Sequence, residues 1–175
     1  MKKTFLIFSA ILLTASVIFV SCKKDNKSEG TSTLHVRLTD APTAYEEVNV
    51  DIREVRVKFS DDTLSTGWVT LTTFPGIYNL LAYQNGVDTL LGTGIFPIQV
   101  VKEIRFVLGP NNTIKDAGVV YPLTIPSGSE SGLKIKINKS LNATLETIII
   151  DFDAALSVKK EGTGDYKLRP VLKIK

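Results

Sequence analysis

Two carboxylates follow three isoleucines in the stretch IIIDFDAALSV, residues 148–158. In a strand, Asp151 and Asp153 share one face, about 7 Å apart along the chain, with Phe152 opposite. Three chemistries fit that spacing. The pair can supply two oxygens to a hard cation, calcium first, if others converge to reach its usual complement of about six to eight. It can act as an acid/base pair in glycan hydrolysis, which uses carboxyl separations of roughly 5 Å or 6.5–9.5 Å. Or the acids simply end a strand whose isoleucines and Phe152 fill a core. Asp40, Asp51 and Glu54 are the other carboxylates available to complete a cation site, and no compact D-x-D-x-D-G loop is present.

Other reactive side chains are few. His35 is the only histidine and lies in LHVRL, on the polar face of an edge-like first strand. GSESG, residues 128–132, is not G-x-S-x-G, so no nucleophile elbow accompanies it. One histidine and one cysteine exclude a metal centre built on several such ligands. Trp68, in GWVTL beside a polar turn, is the chain's single tryptophan. Two readings stand for it: an exposed ring on which a sugar stacks, or a core plug, since large aromatics dominate core burial. DTL occurs twice, at 62–64 and 88–90, and Thr63 and Thr89 match an Asp-Thr-aliphatic pattern for O-glycosylation of exported proteins.

The first 22 residues, MKKTFLIFSAILLTASVIFVSC, begin with two lysines, continue in an apolar run and end in small Ser21 and Cys22. That is the layout of a cleaved export signal. FVSC resembles the bacterial lipobox, with Phe19 where a leucine-like residue is usual. Cys22 is then the acylated N-terminus, and several acyl chains anchor a protein stably in a membrane. Residues 1–21 read as a lipoprotein signal peptide and 22–32 as the lipidated cysteine with a polar, flexible tether. The whole chain carries 21 basic and 18 acidic residues; without Lys2 and Lys3 the count is 19 against 18. That balance, with basic residues alternating along strands, argues against nucleic acid.

The elements that must position these residues are strands. Leu34, Val36 and Leu38 alternate with polar residues, as do Val48, Val50 and Ile52. The phase then slips to Val55, Val57 and Phe59, which calls for a bulge near Arg53–Glu54. Further strands are expected at 67–72, 76–83, 99–108, 119–125, 132–137, 144–152, 155–160 and 166–175. Asn85–Gly86 signals a hairpin turn, and Pro122 an edge strand. About nine or ten strands, with no long amphipathic helix, make residues 33–175 one all-β domain, a sandwich or barrel.

The ordered set RLTDAP, GWVTL, IYNLL, EIRFVL, GLKI, IDFDAALSV and YKLRPV resembles an uncharacterised family of bacterial secreted lipoproteins, a domain of unknown function. The resemblance implies a lipid-anchored β-sandwich akin to transthyretin-like or carbohydrate-binding-like modules, and brings no catalytic residues. The expectation is a non-enzymatic module of the bacterial cell envelope, outer membrane first. Its partners would be the membrane and a polysaccharide or envelope protein, with no cofactor unless calcium binds the Asp151–Asp153 pair. An assembly component that offers the edge around Pro122 or the C-terminal LKIK is the alternative, and a carboxylate-dependent glycan hydrolase the weaker one.

Overall fold

A computed structural model describes residues 30–64, 66–126, 132–142, 144–162 and 164–175. Cys22 and the tether up to 29 lie outside the described residues, as does most of GSESG. The described chain forms two β-sheets packed face to face. The five-stranded sheet runs in the order β14 (Leu172–Ile174), β11 (Leu145–Phe152), β1 (Thr31–Thr39), β6 (Thr89–Pro97), β4 (Thr72–Thr73). The nine-stranded sheet centres on the long β2 (Glu47–Lys58). β7 (Val100–Leu108) and β8 (Thr113–Asp116) lie in line along β2, with β3 (Trp68–Thr70) and β5 (Gly76–Asn79) also paired to it. β10 (Leu133–Ser140) pairs with β7, while β9 (Val119–Thr124), β13 (Tyr166–Leu168) and β12 (Val158–Lys160) follow on in turn from β8.

Alternation explains the core. Leu34, Val36 and Leu38 face inward from β1, Ile148 and Ile150 from β11, and Val55, Val57, Ile104 and Phe106 from β2 and β7; all are buried. Residue 53 is the extra one where the β2–β7 register shifts between Ile52 and Glu54. This bulge keeps both apolar phases of β2 on the core side, as the sequence requires. Residues 68–79 tie the sheets together: β3 and β5 pair with β2, while β4 between them pairs with β6 of the other sheet.

Several expectations are corrected. There are fourteen described strands, because β4, β6 and β8 carry too few alternating apolar residues to announce themselves, and 166–175 splits around Pro170 into β13 and β14, which belong to different sheets. β1 is not edge-like: it lies between β6 (antiparallel) and β11 (parallel), so His35 is half-buried in mid-sheet. Residues 76–83 split into β5 and a 3₁₀ turn, Leu80–Tyr83, started by the Asn79 side chain, which accepts from the Leu81 N–H. Asn85 and Gly86 both adopt positive φ in a turn closed by Val87 N–H to Gln84 O, but that turn joins the 3₁₀ turn to β6 and makes no hairpin. Residues 155–160 begin as a helical turn, α1 (Ala154–Ser157), before β12. β9 pairs with β8 and, through Leu123 and Thr124, with β13, so Pro122 sits in a strand that is only partly an edge. No helix among the described residues is long and apolar enough to cross a membrane.

Candidate functional site

Asp151 and Asp153 have separate structural tasks. Asp153 lies just past β11 and caps α1: its Oδ1 accepts the Leu156 N–H at 3.0 Å. Its Oδ2 accepts from Lys173 Nζ at 2.9 Å. Burial works against the Asp153 charge, but Lys173 and the Leu156 N–H outweigh it and hold the carboxyl below its usual range. Asp151 is the last but one residue of β11, opposite Thr39 and Lys173, and its Oδ1 is buried without a partner. Asp40 joins this corner, accepting from Ala154 N–H at 2.8 Å and from Gln84 Nε2 at 2.9 Å. Burial raises its pKa, and the nearby Asp151 charge adds to the rise. The Asp153 oxygens are thus both committed, and Lys173 stands where a cation's charge would act. Among the described residues, no group of three or more His, Cys, Asp or Glu could hold a metal ion.

The other candidate carboxylates lie elsewhere. Asp51 is fully buried and accepts from Arg53 at 2.7 Å and from the Asn111 N–H at 3.2 Å, pinning the loop between β7 and β8. A Cβ on Gly109 would overlap that carboxylate, so glycine is needed there. Glu54 is held by Arg56 Nε at 2.7 Å. The two DTL copies differ: Thr63 is exposed in the loop before β3, whereas Thr89 opens β6, half-buried and paired with Leu38.

Trp68 forms a different kind of site. It is half-buried at the start of β3 and lies on the outer face of the nine-stranded sheet, not in the core. The Arg105 guanidinium carbon lies 4.0 Å from its ring centroid. Lys58, its cross-strand neighbour, lies 5.9 Å away. Cations over an aromatic face are attracted by the ring quadrupole. Lys58 is 1% exposed although it points away from the core, because the following loop folds over it. Its Nζ donates to Asp62 Oδ1 at 2.5 Å, Asp62 O at 2.9 Å and Leu64 O at 2.8 Å. The loop, the ring and the sheet enclose a cavity of about 240 Å³, bordered among others by Lys58, Asp62, Trp68, Glu103, Lys134 and Lys136.

Arg105, Lys134 and Lys136 escaped the sequence reading as site residues. Their signal was the alternation in EIRFV and LKIKI, which puts them on the outward face of their strands. A larger hollow of about 730 Å³ lies between Gly132–Lys134 and Arg169–Leu172. It has no aromatic ring in its lining.

No curated protein and no solved structure matches the chain. Residues 31–170 match a family described as Domain of unknown function (DUF4382), a span from the first residue of β1 to just past β13. The matched span is well over half of the chain and includes strands of both sheets, so this chain belongs to the DUF4382 family.

Proposed function

We propose that the protein is a non-catalytic, lipid-anchored module of the bacterial cell envelope that binds polysaccharide at the Trp68 face. The observation that carries this reading is the placement of Trp68: the chain's single tryptophan lies half-exposed on a sheet face, lining a cavity edged with charged side chains. An aromatic ring offers a sugar a broad apolar platform, and polar groups around it fix orientation. A non-catalytic role is supported by the carboxylates: Asp153 is ion-paired and capping, and Asp40 and Asp151 are buried. The anchor rests on the Cys22 motif, with the domain beginning shortly after it at Thr31. A cysteine-to-serine change at residue 22 should move the protein from the membrane to the soluble fraction, read by fractionation; unchanged partition would refute the anchor.

The binding test uses the full chain in detergent and its one tryptophan as reporter. Titration with a polysaccharide panel should shift Trp68 emission for the bound glycan. Trp68→Ala should weaken binding about tenfold or more, the scale of a lost aromatic contact of roughly 1.5 kcal/mol. Glycan binding undiminished in Trp68→Ala would sink this assignment. Strand addition is the second reading, favoured by β14, which among the described residues pairs with β11 alone and ends the five-stranded sheet. That edge has three residues, which is short for a docking strand.

A further inference from the structure

We infer that the ligand of the Trp68 face is an acidic polysaccharide, one bearing carboxylate or sulfate groups. This rests on the binding reading above and specifies its substrate class. Arg105 carries the argument. It is 6% exposed, on the outward face of β7 and stacked against Trp68. A guanidinium stacked on a ring keeps its in-plane N–H groups for an acceptor, and its planar fork suits carboxylate and similar oxyanions. Yet Arg105 has no ion pair among the described residues, and its buried Nε has no hydrogen-bond partner. The Trp68 Nε1–H is likewise buried and unpartnered. Buried donors without acceptors are costly, and an oxyanion ligand supplies the kind of acceptor that Arg105 and Trp68 lack.

The register supplies the surrounding charge. Arg56, Arg105 and Lys134 lie side by side on β2, β7 and β10, and Lys58, Glu103 and Lys136 form the parallel row. Arg56 is neutralised by Glu54, Lys58 by Asp62 and Lys102 by Asp61. Arg105, Lys134 and Lys136 have no carboxylate partner within 4 Å among the described residues, leaving three cations against Glu103. Burial, and then the neighbouring Arg56 charge, lower the Arg105 pKa, with Glu103 acting the other way. Lysines alone would make only a basic surface; the buried, unpartnered Arg105 at its centre makes a recognition point.

The test is affinity electrophoresis and Trp68 fluorescence of the full chain with four polymers: dextran, dextran sulfate, polygalacturonate and poly-glutamate. The expected result is binding to dextran sulfate or polygalacturonate, with little binding to dextran or poly-glutamate. It should weaken about tenfold in the Lys134→Gln/Lys136→Gln double variant, the scale of a lost charge-assisted contact, and fall as salt is raised. Arg105→Gln should weaken it as much or more; if that variant fails to fold, the exposed lysine pair still decides. Dextran bound as well as dextran sulfate overturns the acidic class but leaves the module reading standing. Poly-glutamate bound as well as the acidic glycans overturns it too, since charge alone then suffices. A fluorescence signal that none of the four polymers moves overturns both this inference and its use of the Trp68 face.

Discussion

At the scale of single residues, the loop that shapes the Trp68 cavity hangs on one ion pair. Lys58 Nζ is buried and its three hydrogen bonds all run to the 62–64 segment. The bond from Lys58, aided by Ser60 and the Leu64 N–H, lowers the Asp62 pKa from 3.8 to about 2. A depressed carboxylate contributes stability that is complete above its ordinary pKa and is lost as pH falls towards the native one. Asp62→Asn should therefore lower the melting temperature at pH 7, and the gap from wild type should close between pH 4 and pH 2. A gap that stays constant across that window would mean the pair does not anchor the loop. Asp40 works in the other sense: burial raises its pKa, so its contribution diminishes as pH rises above 3.8. The residue scale is also where sequence reading was least able to judge. Asp151 and Asp153 look like a pair because they are two apart, but β11 ends between them, and Asp153 becomes a cap. Lys173 and Asp40, which fill that corner, come from opposite ends of the domain, and only the tertiary fold brings them there.

At the scale of elements, β6 shows why some strands were illegible. Its sequence, TLLGTGIFP, carries two glycines and a proline, the residues that ordinarily interrupt strands. The glycines sit where Leu71 crosses from β3 to β4. A Cβ at Gly94 would come within 2.7 Å of the Phe96 ring and 3.0 Å of Leu71 Cδ2. Gly94→Ala should thus cost about 1–3 kcal/mol by overpacking, read as a lower urea midpoint with an unchanged slope. No loss of stability would mean that Leu71 does not need this close approach. β2, by contrast, was legible down to its bulge, since the shift from Val48, Val50, Ile52 to Val55, Val57 can stay buried in no simpler way. The split of 76–83 was hidden because a continuous apolar run fits a buried strand or a helical turn equally well. Asn79 decides it by capping the turn.

At the scale of the molecule, the sandwich turns ordinary alternation into a site. The cations of VRVK, EIRFV and LKIKI are unremarkable in sequence and lie in three well-separated stretches. They become one surface only because β2, β7 and β10 are neighbours in one sheet, with β3 delivering Trp68 onto the same face. Fold class was readable from periodicity alone, but strand order was not, because pairing such as the parallel β1–β11 contact joins opposite ends of the domain. The other broad surface, the outer face of the five-stranded sheet, includes Thr33, His35, Thr93, Ile95, Leu145 and Thr147. These two faces make the most direct test of the account. Hydrogen–deuterium exchange of the full chain would be measured with and without dextran sulfate or polygalacturonate. The account expects protection concentrated in β3, β10 and the 59–64 loop, with the five-stranded sheet unchanged. Protection confined to β1, β6 and β11, or to β14, would place the ligand elsewhere and contradict the Trp68 face as the binding site.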